Sequence, residues 1–247
     1  MTTYSRLRVW NVVIGTLLAV EASVMLATSN DLSLPVTGAW LRDDPVAVRG
    51  PVPAHTVFSV RIGPLVAAFL FLAAIDHLLV ASPIAIRAYE RGITAHRNMF
   101  RWAEYALSAS VMIVLIGLFV GLRDIGAVVA VFALNTTMIL FGALMEREQE
   151  PGGADWTAFW FGCFAGAVPW ALVFVHVAGA PTVPGFVWAI TVTQLVLFIA
   201  FAVNMALQYA RVGRWRSYVF GETGYIVLSA TAKSLLAWLI FANVLRT

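Results

Sequence analysis

Seven long apolar runs recur along this chain, separated by short polar or glycine- and proline-marked breaks. Each approaches the ~20 residues that a helix needs to cross a bilayer. Composition agrees: 61% of residues are hydrophobic, 12% are charged, and the mean hydropathy is +0.85. No ordinary soluble domain has such a balance. The 247 residues are about enough for seven crossings with short connections, which leaves no room for a second, soluble domain. The expected architecture is therefore all-α, a seven-transmembrane-helix bundle forming one membrane domain over residues 1–247.

The first run extends from about Val9 to Thr28 behind a charged start (Arg6, Arg8); its length fits an uncleaved span better than a signal peptide's shorter core. The long connection follows, over roughly residues 29–60, with Pro35, Pro45, Pro51 and Pro53 inside it and Pro64 just beyond. So long a segment without helical period reads as an ordered loop, for which a β-ribbon is the candidate form. The second span covers about Ile62 to Ser82, ended by Pro83, and the third about Asn98 to Gly121. A turn at Leu122–Ile125 leads into the fourth, about Gly126 to Met145, and Glu146–Asp155 reads as a loop. The fifth, about Trp156 to Ala178, contains Pro169, where a kink is expected. The sixth and seventh extend over about Gly185 to Ala210 and Tyr218 to Leu245, joined by an arginine-rich loop.

Arginine placement predicts orientation, because cytoplasmic loops carry an excess of positive charge. An N-terminus on the cytoplasmic side puts ten arginines inside and five outside, Arg42, Arg49, Arg61, Arg123 and Arg246. The long first connection is then extracellular. The net charge of +3, spread over span ends, makes no continuous stripe for nucleic acid. The one cysteine, Cys163, excludes an internal disulfide and lies in an apolar run where packing explains it.

Within the apolar runs, the residue that demands an explanation is Lys233. It is the only lysine, near the middle of the last span in Tyr225-Ile-Val-Leu-Ser-Ala-Thr-Ala-Lys233. A charge at mid-membrane costs at least ~2.5–3.5 kcal/mol and so needs a partner or a purpose. Lysine, unlike arginine, can give up its proton and act as an amine nucleophile toward a carbonyl. Ser229 lies one helical turn earlier on the same face. The carboxylate expected to pair with it is Glu104, with Ser108 one turn further on. Spacing alone leaves a second pairing open, between Glu104 and Arg101 three residues before it. Glu21, Asp76 and His77 are the remaining ionisable groups within spans, once Glu222 and His176 are set aside as span ends. A lone buried histidine is more often hydrogen-bonded core than ligand, although imidazole also suits proton exchange. Most of the nine tryptophans and sixteen phenylalanines belong to interfacial belts or helix packing. Asn135, Met138, Trp170 and Phe198 lie at mid-span depth and are the better pocket candidates.

Several segments carry a more specific signal: Phe100-Arg-Trp-Ala-Glu-Tyr-Ala-Leu-Ser108, Asn135-Thr-Thr-Met-Ile-Leu-Phe-Gly142, Phe159-Trp-Phe-Gly-Cys163, Val168-Pro-Trp170 and Tyr225 to Ser234. With Leu34-Pro-Val-Thr-Gly38 in the first connection, they resemble heliorhodopsin in order across nearly the whole chain. The resemblance implies all-trans retinal on Lys233 as a protonated Schiff base, with Glu104 as counterion. Ser108 and Ser229 would hydrogen-bond near the pair, Tyr105 would join the cofactor-binding residues, and His77 would belong to a polar cavity on the cytoplasmic side. Met138 and Trp170 would line the polyene. It further implies a homodimer in the cell membrane of a prokaryotic host and a light sensor with a cytoplasmic signalling partner, rather than an enzyme. Two positions depart from the family pattern: Leu18 stands where a histidine is frequent, and Asp76 where an apolar residue is usual.

A light-driven proton pump or channel on the same scaffold is the alternative function. A pump wants carboxylates on both sides of the lysine, and the fourth to sixth spans offer no buried acid by sequence. A non-photic transporter with a structural Lys–Glu pair is the third class; it leaves the extended resemblance unexplained.

Overall fold

Each apolar run folds into one helix, since a helix satisfies its own backbone hydrogen bonds where no water can. The computed structural model describes residues 3–40 and 53–246. In order these are α1 (Thr3–Thr28), β1 (Ser33–Gly38), β2 (His55–Arg61), α2 (Ile62–Ala81), α3 (Ile86–Thr94), α4 (Met99–Phe119), α5 (Ile125–Glu148), α6 (Thr157–Gly179), α7 (Gly185–Tyr209) and α8 (Tyr218–Ile240). A 3₁₀ turn, Gly213–Arg216, precedes α8, and a π turn, Phe241–Leu245, extends it. Among the described residues, seven helices, all but α3, are long and apolar enough to cross a membrane.

The helices pack as a ring, α1 on α2, α2 on α4, α4 on α5, α5 on α6, α7 on α8 and α8 back on α1, while α6 and α7 meet sparsely. α4 is the most enclosed span, touching α2, α5, α6 and α7. One continuous core joins Leu18, Phe69, Leu70, Ile113, Trp170 and Leu236 across the bundle. α6 continues through Pro169. It begins at a local turn in which Asp155 accepts from the Thr157 amide and hydroxyl, and these bonds hold the Asp155 carboxyl below its usual range.

The first connection does contain a β-ribbon. β1 and β2 pair antiparallel with an irregularity between Val36 and Thr37. Thr37 donates its amide to Arg123 O at 2.8 Å, and the Asn30 amide reaches Leu245 O at 3.1 Å. The ribbon thereby ties the α4–α5 turn and the end of α8 to one end of the bundle. Pro45, Pro51, Arg42 and Arg49 lie outside the described residues. At the opposite end, α3 is a short helix in the connection between the second and third spans, too short and too polar to show as an apolar run. It buries Tyr89 and Ile93 and exposes Arg87 and Arg91.

Candidate functional site

Lys233 projects from the middle of α8 into the bundle and is 3% exposed. Its Nζ donates to Glu104 Oε2 at 3.1 Å and to Ser229 Oγ at 2.6 Å. It also stands 4.9 Å from the centre of the Tyr105 ring, within cation–π range. Tyr105 is anchored by donating its hydroxyl to Tyr225 O at 3.0 Å. Each charge alone would be expensive here, and pairing is what makes both tolerable. Among the described residues, two buried oxygens at the pair have no hydrogen-bond partner, Glu104 Oε1 and Ser108 Oγ. They lie one turn apart on the same face of α4.

Arg101 does not pair with Glu104. It is 3% exposed and turns to two other carboxylates, Glu146 on α5, at 2.5 Å, and Glu222 on α8. Its guanidinium lies over the Tyr225 ring, 3.9 Å from the centre. Glu146 also accepts from Asn98 N, Trp102 Nε1 and Tyr218 Oη, at 2.8, 2.6 and 3.0 Å. Glu222 accepts from Asn98 Nδ2 at 2.6 Å. This corrects two sequence-based assignments. Glu146 belongs to the last turn of α5 rather than a loop, so the fourth span does carry a buried acid, and Glu222 is a buried partner rather than an exposed span end. No local pattern marked the cluster, because Arg101 meets partners 45 and 121 residues away.

His77 is a hydrogen-bonded core residue. Its Nδ1 lies 2.6 Å from Asn11 Oδ1, and Asn11 is oriented by donating Nδ2 to Leu7 O at 2.9 Å. Nδ1 therefore carries the proton in this contact. Asn11 Nδ2 also reaches the Tyr89 hydroxyl at 3.4 Å, and burial pushes that phenol above its usual range, so it stays neutral. His77, half-buried Asp76, Glu104, Arg101 and Glu222 line one narrow polar cavity between α2, α4 and α8. Leu18 is fully buried apolar core.

Glu21 bonds to α8, accepting from Ser234 Oγ at 2.7 Å and Trp238 Nε1 at 3.1 Å. Trp170 and half-buried Phe198 meet edge to face, ring centres 5.3 Å apart. Trp170 shares the core with Met112, Ala230 and Ala232, beside Lys233. Asn135 donates to Ser110 Oγ at 3.1 Å and so ties α5 to α4. Met138 lies against Gly166 of α6, where a Cβ would collide with its sulfur.

A seven-helix bundle with one buried lysine in its last span, paired to a carboxylate on the third, is built as a microbial-type rhodopsin. The chain belongs to the heliorhodopsin family, whose model, Heliorhodopsin, matches residues 7–245. No curated protein matches the sequence. Membership indicates a retinal-binding, light-sensing membrane protein. The residues present fit retinal. An amine stands at mid-bundle with an acid 3.1 Å away, and Glu104 Oε1 and Ser108 Oγ are buried polar atoms with capacity to spare. Trp170, Phe198 and Met138 supply apolar surface near that depth.

Proposed function

We propose that Lys233 carries all-trans retinal as a protonated Schiff base, that Glu104 is its counterion, and that the protein is a light sensor with a conformational output. The observation that carries this reading is the buried Lys233–Glu104 pair in a chain with no other lysine. When bound, retinal supplies light absorption and isomerisation. The chain's own residues do the rest. Glu104 stabilises positive charge at the Lys233 nitrogen, because an opposite charge favours the ionised form. Ser229 offers its hydroxyl to it, Ser108 adds a second buried hydroxyl one turn from Glu104, and Tyr105 presents the face of its ring. Trp170, Phe198, Met138 and Asn135 shape the space along the polyene, and His77 serves the polar cavity.

Buried acids are distributed unevenly about Lys233, which favours a sensor over a pump. Glu104, Glu146, Glu222 and Asp76 gather toward the end bearing α3, whereas toward the ribbon Glu21 is occupied by Ser234 and Trp238. Thr191 and Gln194 on α7 add only neutral groups. A proton displaced within such a cavity can return the way it came. We further propose a homodimer with the N-terminus and the α3 end cytoplasmic, where a signalling partner reads helix positions. The test is to add retinal to the purified protein: a visible band sensitive to hydroxylamine and to Glu104 substitution is expected, and no pigment would refute the reading.

A further inference from the structure

The polar cavity holds more acid than base. Arg101 lines it with three carboxyls, Asp76, Glu104 and Glu222, and just beyond the lining Lys233 bonds to Glu104 and Glu146 to Arg101, so two positive groups stand against four acidic ones. The remaining titratable neighbours are two phenols and one imidazole. Tyr105 from α4 and Tyr89 from α3 are phenols, and His77 is buried with its Nδ1 proton given to Asn11, the group that α1 contributes.

Hydrogen bonds show how the acids divide. Glu146 accepts from four donors, Glu222 from the guanidinium and the Asn98 amide, and Glu104 from the Lys233 ammonium. Such donors stabilise carboxylates. Asp76 differs. Among the described residues no donor or cation bonds to its carboxyl, although it lines the cavity together with Glu104 and Glu222. A carboxyl without a donor, set beside other acids, has the weakest reason of the four to be ionised.

We propose that Asp76 holds a proton in the dark state, as a neutral acid beside the Glu104–Lys233 pair, and is the group through which pH acts on that pair. Losing that proton places a second negative charge beside Glu104 and favours positive charge at the Lys233 nitrogen, so the pigment absorbs at shorter wavelength. The inference deepens the retinal reading and rests on it for the colour readout alone.

The test uses the full chain, with and without retinal, labelled with carbon-13 at aspartate carboxyls. At neutral pH one signal should sit at the position of a protonated carboxyl, vanish in Asp76→Asn, and move to the carboxylate position as pH rises. With retinal bound, the visible band should shift to shorter wavelength over the same pH range, whereas Asp76→Asn should stay at the long-wavelength position throughout. Asp76→Ala serves if the asparagine variant does not fold. An Asp76 carboxyl already ionised at neutral pH overturns the proposal, as does a colour titration that survives unchanged in either variant. Failure to bind retinal would instead count against the functional reading, and the carbon signal would still decide Asp76.

Discussion

Lys233 and Glu104 illustrate how a costly residue becomes intelligible through its partner. Lys233→Ala should abolish covalent retinal attachment while leaving the protein inserted and folded, since the Glu104 carboxyl left without its partner can take up a proton rather than stay buried as a charge. A hydroxylamine-sensitive pigment in that variant would remove Lys233 from its role. Glu104→Gln keeps the shape and removes the charge, so the Schiff base should release its proton more readily, by up to a few pH units on the usual scale for a lost close counter-charge. Absorbance near neutral pH should then move to the ultraviolet, or to longer wavelength where the proton is retained, and added chloride should partly restore the band. A dark spectrum that is unshifted across a pH titration would pass the counterion role to Asp76 or Glu21. His77→Ala should change proton-transfer kinetics more than dark colour, because its contact runs to Asn11 rather than to the pair.

Among helices, the Arg101 cluster is what locks α4, α5 and α8 together at the α3 end. Removing one partner of a buried ion network leaves uncompensated charge, at a cost of about 3–5 kcal/mol. Arg101→Ala should therefore lower the thermal unfolding midpoint of the purified protein markedly, and Arg101→Ala with Glu146→Gln and Glu222→Gln should recover part of the loss. An equal midpoint for wild type and Arg101→Ala would show that the cluster contributes no stability. The position of these helices was readable from apolar length, and each span boundary lies within a few residues of expectation except at the start of α1 and the end of α5. α3 was also readable in principle: Ile86, Tyr89 and Ile93 repeat at helical spacing with arginines between them. The cluster was not, because an arginine near a span end normally marks the membrane surface, and only packing shows that it is covered.

For the molecule as a whole, the bundle has two unlike ends, one capped by the β-ribbon and one carrying α3 and the acidic cavity. A tag at the N-terminus should be protected in intact cells and one at the C-terminus accessible; an accessible N-terminal tag would reverse the orientation. Continuous light should produce no sustained proton current, because most of the acids lie to one side of Lys233 and Glu21, on the other, is held by Ser234 and Trp238. A light-induced pH change in a cell suspension, abolished by a protonophore, would favour the pump, and Asp76→Asn would be the first variant to test.

Composition and run length dictated seven helices, since lipid leaves the backbone of a long apolar run no other way to satisfy its hydrogen bonds. The isolation of one lysine at mid-span likewise made Lys233 legible, because its cost depends on depth alone. Which carboxylate met it did not follow, for helix spacing allowed Arg101 as readily as Lys233 to claim Glu104. Three-dimensional packing decided that choice by bringing Glu146 from α5 and Glu222 from α8 to Arg101, which left Glu104 to the lysine. Charge pairing in a buried cavity is settled by which groups across the whole bundle can reach one another, and no stretch of chain contains that information locally.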